Sequence, residues 1–407
     1  MRRLSRVSWL RFVAAFLLLA AASSQAQFVT PLQSIATFPG YLGCVAFRCF
    51  ARVVADGDTA IILNTGTGVM VRSAPGVWNV QQELWNPAGR PSALTPMSAP
   101  AGLSGDVLLL TGTSRVYNNV PVIYVWQRTG TTWAHTQVLA LPRPPGFNSM
   151  SVKSVKLSQK TAAVCTLHGD TAGGSRAQID IFTLKSDGRF LRQAQIIPSI
   201  TLNTDFPCQL VLEGNTLLVQ DPAADQASGR VLVYESGSKG WVLRHRLTAS
   251  DGTAGAQFGA SAGISGNTIV VGAPQRPNFD QPLHLGAAYV FQRTATSWAQ
   301  MQLLVKPEFT SDEAPPEEFN TAFGYTVSIS GDRLSVSSTP SPPAYVYERR
   351  GVWAPVAGLH EETRANGAVG QLSGSIAVQE ATDGHSGAWG VAYELPPLWT
   401  LPPRVDP

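Results

Sequence analysis

Short apolar runs recur along this chain, cut at regular intervals by a three-residue polar turn. The clearest stretch runs from Phe258 to Leu304. Phe258 to Ile264 alternates small and apolar residues, and Ser265-Gly266-Asn267 supplies residues that tolerate positive φ between two extended segments. Thr268 to Val271 is β-branched, a composition that packs well on a pleated surface, and Gly272-Ala273-Pro274 ends it. Ala287 to Phe291 is a second apolar run, Thr294 to Ser297 a polar turn, and Trp298 to Leu304 alternates again. The pattern predicts four short strands, the content of one propeller blade or one slice of a sandwich.

The turn serves as a ruler for the rest of the chain. It recurs as Asp56-Gly57-Asp58, Ser104-Gly105-Asp106, Ser158-Gln159-Lys160, Glu213-Gly214-Asn215, Ser330-Gly331-Asp332 and Ser373-Gly374-Ser375. An apolar strand follows each copy, from Ala60, Val107, Ala162, Leu217, Leu334 and Ile376. A third strand follows at Val69 to Val71, Ile123 to Trp126, Ile179 to Phe182, Val231 to Tyr234, Ala287 to Phe291, Tyr345 to Tyr347 and Trp389 to Tyr393. Seven turns spaced 43 to 65 residues apart signify a propeller or solenoid. The expected fold is therefore all-β, a seven-bladed β-propeller of four-stranded antiparallel blades. An aromatic opens the outer strand in six copies only: Trp78, Trp133, Phe190, Trp241, Trp298 and Trp353. Residues 28–37 stand where an orphan outer strand would fall, and ring closure would pair them with the last blade. Pro396 and Pro397 interrupt any continuation there.

Phe258-Gly259 and Gly272-Ala273-Pro274, in that order, resemble the FG-GAP repeat of integrin α subunits and of many secreted bacterial proteins. The letters decay in the neighbouring copies, to Phe206-Pro207 and then Gln220-Asp221-Pro222 in the fourth and to Phe323-Gly324 without a matching Gly-Ala-Pro in the sixth. The resemblance implies an integrin α-like propeller that binds other molecules, with calcium held in acidic loops between second and third strands. Calcium needs six or more oxygen ligands, several of them carboxylates. The corresponding loops here offer Asn278 with Asp280, Asp221 with Asp225, or Glu380 with Asp383, and none places three acids in register. No metal or other cofactor is therefore expected, and Asn278 and Asp280 are the one pair that could hold calcium weakly.

Composition changes the picture mainly at the start of the chain. Residues 1–26 carry four arginines, an apolar core from Phe12 to Ala22 and then Ser24-Gln25-Ala26, the order of a cleavable signal peptide. The core is shorter than the roughly 20 residues a spanning helix needs. The expected product is secreted or periplasmic, with no membrane insertion after cleavage, a single propeller domain over 27–395 and a Pro-rich tail over 396–407. Formal net charge is +3, but 30 basic residues less the four of the leader leave 26 against 27 acidic. A near-neutral mature chain speaks against nucleic-acid partners. Four cysteines in an exported chain point to disulfides, and three pairings are possible. Cys44 and Cys49 lie close enough for a local staple, and Cys165 and Cys208 fall in neighbouring repeats, which favours a bridge between blades.

Candidate chemistry is sparse. Gly259-Ala260-Ser261-Ala262-Gly263 matches the G-x-S-x-G pattern of serine hydrolases, but that elbow needs a strand, a sharp turn and a helix, whereas Ser261 lies within a strand followed by another strand. The six histidines are scattered singly, with no spacing that would set two on one metal. His284 and His385 fall in loops between second and third strands. Lys306 to Asn320 carries five acids among three prolines and reads as a solvated excursion or a partner-binding insert. No catalytic residue is assigned. The expectation is an exported, monomeric, non-enzymatic propeller that recognises an unknown protein or glycan through loops on one face. The alternative is a glycan hydrolase or lyase with acids converging on the central channel.

Overall fold

The computed structural model describes residues 30–32, 36–38, 52–63, 67–74, 77–84, 100–114, 120–202, 208–277, 284–307, 321–338, 344–359, 369–373, 376–382 and 388–395. Two short strands come first, β1 (Thr30–Leu32) and β2 (Ala36–Phe38). Blade 1 holds β3 (Arg52–Asp56), β4 (Thr59–Leu63), β5 (Thr67–Ala74) and β6 (Val77–Leu84). Blade 2 holds β7 (Ala101–Ser104), β8 (Val107–Ser114), β9 (Val120–Thr129) and β10 (Thr132–Ala140). Blade 3 holds β11 (Ser149–Ser158), β12 (Thr161–Gly169), β13 (Ser175–Leu184) and β14 (Phe190–Ile196). Blade 4 holds β15 (Leu210–Glu213), β16 (Thr216–Asp221), β17 (Arg230–Gly237) and β18 (Gly240–Leu247). Blade 5 holds β19 (Ser261–Ser265), β20 (Thr268–Ala273), β21 (His284–Arg293) and β22 (Trp298–Leu304). After β23 (Thr321–Phe323), blade 6 holds β24 (Val327–Ser330), β25 (Arg333–Ser337), β26 (Ala344–Arg350) and β27 (Val352–Leu359). Three strands remain, β28 (Val369–Ser373), β29 (Ile376–Thr382) and β30 (Ala388–Glu394).

The all-β propeller with four-stranded antiparallel blades is present, but six blades take four consecutive strands each, not seven. The last three strands have no outer strand of their own, and β2 supplies it by pairing antiparallel with β30. That closing sheet belongs to both ends of the chain. The sequence carries the reason: the turn occurs seven times, whereas the aromatic that opens an outer strand occurs six times. Two blades also depart from a purely antiparallel sheet, because β1 adds in parallel to β27 and β23 adds in parallel to β21. The inner strands neighbour one another in the order β3, β7, β11, β15, β19, β24, β28 and back to β3.

The core lies between blades, which is where the period-2 alternation of every strand sends its apolar residues. Facing sheets bury Leu108, Leu110 and Trp133 with Ile61 and Leu63, and likewise Val270 and Val290 with Leu334 and Tyr345. Each outer strand of the six blades contains a bulge three residues after its aromatic, leaving Gln81, Thr136, Gln193, Arg244, Met301 and Val356 unpaired. A bulge re-aims the next side chain, and that residue is Gln82, Gln137 or Gln302 in blades 1, 2 and 5.

Candidate functional site

The repeat signature is a joint between blades. Phe258 is fully buried against Tyr289 and Phe291, with ring centroids 5.3 Å and 6.0 Å away in edge-to-face geometry. The Gly259 N–H donates to Gly272 O in the same blade (2.9 Å), so the FG turn is pinned to the GAP turn. Backbone then meets backbone across the seam. Gly286, at φ +100°, lies so close to the next blade that a Cβ would stand 2.0 Å from Phe323 O. Only glycine adopts that φ without strain and leaves that space. Gly272 meets Gly324 O at the same separation, and Ser261 donates its hydroxyl to that carbonyl (2.9 Å). Ser261 is thus a buried seam residue, as the strand reading of G-x-S-x-G requires.

One position shows how the joint varies. Counted six residues past the centre of the ruler turn, Gly272 of blade 5 corresponds to Gln220 of blade 4 and Cys165 of blade 3. Cys165 is bonded to Cys208, six residues before the turn centre of blade 4, with Cα atoms 6.4 Å apart. The disulfide expected between Cys165 and Cys208 is therefore present and joins blades 3 and 4. With its amide nitrogen turned toward blade 5, Gln220 donates to the carbonyls of Gly259 (3.0 Å) and Ala260 (3.1 Å). At the following seam Gly272 makes a bare backbone contact.

The ruler turns are coupled as well. The first residue of five of them accepts a hydrogen bond from a backbone N–H of the next blade's turn: Gly105 to Asp56 Oδ2 (2.7 Å), Gln159 to Ser104 Oγ (3.1 Å), Gly214 to Ser158 Oγ (2.9 Å), Gly266 to Glu213 Oε2 (2.8 Å) and Gly331 to Ser265 Oγ (3.0 Å). Burial raises the Glu213 pKa, and the Gly266 N–H partly offsets that. Further in, Ser154 Oγ accepts from Leu210 N (3.3 Å) and Ser328 Oγ from Leu372 N (3.0 Å). At the rim, the glutamines after the bulges clasp the next blade's aromatic by both backbone groups. Gln82 holds Trp133 (2.9 and 2.7 Å), Gln137 holds Phe190 (2.9 and 2.8 Å) and Gln302 holds Trp353 (2.7 and 2.8 Å). Sequence reasoning missed these, although aromatic-x-x-x-Gln in three copies was the available signal.

The opposite face, built from loops between second and third strands and from the blade connectors, is braced by ion pairs. Asp221 is buried, bound to Arg230 (2.8 Å) and to the Thr201 N–H (2.8 Å), while the exposed Asp225 lies 3.8 Å from the same guanidinium. These two acids, weighed above as calcium ligands, are engaged by an arginine. Asp251 in the connector to blade 5 takes Arg276 (2.7 Å) and the Tyr289 hydroxyl (2.6 Å). Burial acts to raise the Asp251 pKa, but hydrogen bonds from Tyr289 and Arg276 outweigh it and hold it below the ordinary value. Burial, followed by Asp251, pushes the Tyr289 phenol well up. A second polar cluster, absent from the sequence reading, lies between blades 2 and 3. Buried Thr166, His168, Gln178 and Asp180 share hydrogen bonds, Arg192 reaches Asp180 (2.7 Å), and burial, then Arg176 and Arg143, lowers the His168 pKa. Among the described residues, no three of His, Cys, Asp and Glu come together. Asn278, Asp280, Cys44, Cys49, His360, His385 and the whole acidic stretch over 308–320 lie outside the described residues, as do the leader and the tail.

A family description, FG-GAP repeat, matches residues 241–291. The chain is a β-propeller that carries an FG-GAP repeat. The matched span opens on the outer strand of blade 4 and closes in the third strand of blade 5, so it frames the joint rather than one blade. No curated protein matches the sequence. Among solved structures, the Cps50 (Swd1) β-propeller domain of Myceliophteria thermophila superposes with a TM-score of 0.52 at 13% identity, covering 90% of this chain and 100% of that chain. A protein from Lactobacillus plantarum gives 0.50 at 13% identity, covering 82% and 90%. The acylaminoacyl peptidase of Pyrococcus horikoshii gives 0.50 at 8% identity, covering 86% of this chain and 52% of that one. At such identities the likeness speaks for the fold alone. No helix among the described residues is long and apolar enough to cross a membrane.

Proposed function

We propose that this protein is an exported, monomeric, non-enzymatic scaffold that recognises a protein or glycan through the loops between its second and third strands. One observation carries the reading. Seven polar side chains of the inner strands and their turns, Asp56, Ser104, Ser154, Ser158, Glu213, Ser265 and Ser328, accept blade-to-blade hydrogen bonds, both carboxylates among them included. A hydrolase working in the channel would need carboxylates there that are released from structural duty. The loop face, by contrast, is fixed from below by Asp221–Arg230 and Asp251–Arg276, a rigid base under exposed segments such as Thr171 to Gly174. Rigid scaffolds carrying exposed loops are a recurrent basis for recognition. The disulfide supports export, since such bonds persist in oxidising compartments.

The test uses residues 27–407 purified without the leader, screened against a glycan array and a panel of purified extracellular proteins. Saturable binding that is lost on replacing Thr171 and Asp225, and kept on replacing Asn267 and Asp332 of the turn face, is the expected result. Release of reducing ends from polysaccharides at constant specific activity through purification would sink it.

A further inference from the structure

Among the described residues, five of the six blades end on an outer strand whose far edge is unpaired, β6, β10, β14, β18 and β22. The sixth is covered: β27 receives β1, an extended segment added in parallel. Of these edges, β18 alone carries two cations that form no ion pair among the described residues. Arg244 and Arg246 are both exposed on it, and no acid lies in the strand. Lys239 is exposed in the turn that leads into it. Blade 3 presents Lys185 and Arg189 on the neighbouring rim, with one exposed acid, Asp187, between them, while its Arg192 is taken by Asp180.

The bland explanation is that charge guards an open edge against aggregation. It does not account for β18, because β10 and β22 are equally open and contain no Asp, Glu, Lys or Arg. Edge protection is achieved there without charge. We propose that β18 is a docking edge for an extended acidic peptide of a partner protein, which adds as a fifth strand and sets carboxylates against Arg244 and Arg246. Strand addition would satisfy the unpaired N–H and C=O groups of β18, and alternate side chains of an incoming strand project to the same face at every second residue. Arginine presents a planar fork to carboxylates. Blade 6 shows that a rim of this geometry accepts an extended segment. This surface is on the rim, so it stands apart from the loop-face reading.

The probe is a fluorescein-labelled Glu-Val alternating hexapeptide, read by anisotropy with residues 27–407. Binding that weakens at least tenfold in the R244E/R246E double variant is expected, with a milder loss in R244Q/R246Q, which guards against misfolding as the cause. A version of the peptide N-methylated at alternate residues should also bind at least tenfold more weakly. Equal affinity for the double variant, or undiminished binding of the N-methylated peptide, overturns the proposal. So does tighter binding of heparin with the same arginine dependence, since a polyanionic glycan would then be the occupant.

Discussion

Blades 3 and 4 meet through a disulfide, whereas blades 5 and 6 meet at the equivalent place through two glycines. Cys165 and Gly272 occupy the same step past the turn, and both point the second strand of one blade at the start of the next. The seam geometry is common to both, and the chemistry that fills it is not. A covalent link tolerates a Cβ on each side and acts largely on the unfolded chain. The glycine seam tolerates none, because the opposing atom is a backbone carbonyl that cannot rotate away. The intermediate case, Gln220 at the seam of blades 4 and 5, reaches across with an amide. Losses at the rim follow the same trade. Blade 3 has Ala194 where blades 1, 2 and 5 have their glutamine, and its seam is the one that carries the disulfide.

The sharpest way to break this contrast is Gly272→Ala, which places one methyl 2.0 Å from Gly324 O. The expected cost is about 3 kcal/mol or more, at the upper end for overpacking because the opposing atom is backbone, seen as a large fall of the denaturant midpoint; a loss under about 1 kcal/mol would show that the seam is soft. Cys165→Ala with Cys208→Ala follows, at about 2–4 kcal/mol, and dithiothreitol treatment of the native protein should reproduce it. Gln302→Ala strands both backbone groups of Trp353 and is expected to cost about 1–3 kcal/mol, while Ala194→Gln in blade 3 tests whether the clasp can be restored. Ser265→Ala should cost about 0.5–1.5 kcal/mol. The smallest effect belongs to Glu213. Its folded pKa lies above the unfolded value, so its contribution is fully present below the unfolded pKa and is lost as pH rises through the folded one. Glu213→Gln keeps an acceptor for Gly266 and should raise the midpoint slightly at pH 7 and leave it unchanged at pH 4.

The strands were legible because alternation and turn chemistry are local. Every second and third strand read from the sequence lies inside an observed one, from Ala60 within β4 to Trp389 within β30. Six blades in place of seven came from the same sequence, since a turn reports the hairpin of two inner strands and is silent on whether a fourth strand follows. The six aromatics that open outer strands carry that information instead. Pairing of the N-terminal end with the last sheet was anticipated from residues 28–37, and β2 at Ala36–Phe38 supplies it. The joints were hidden for a different reason. Gln82 and Trp133 are partners across a seam, 51 residues apart, and nothing local to either marks it. The same holds for Asp56 with Gly105, where the acid reads as a turn former and also serves the next blade.

The family match begins on the outer strand of one blade and ends in the third strand of the next. A duplication with those boundaries copies a hinge complete with both leaves, and each new copy arrives already fitted to its predecessor. Residues away from the seam can then drift, while the pin itself is made in turn by sulfur at Cys165, an amide at Gln220 or bare glycine at Gly272. What is inherited in such a ring is the fastening, and the panels are what the fastenings happen to hold.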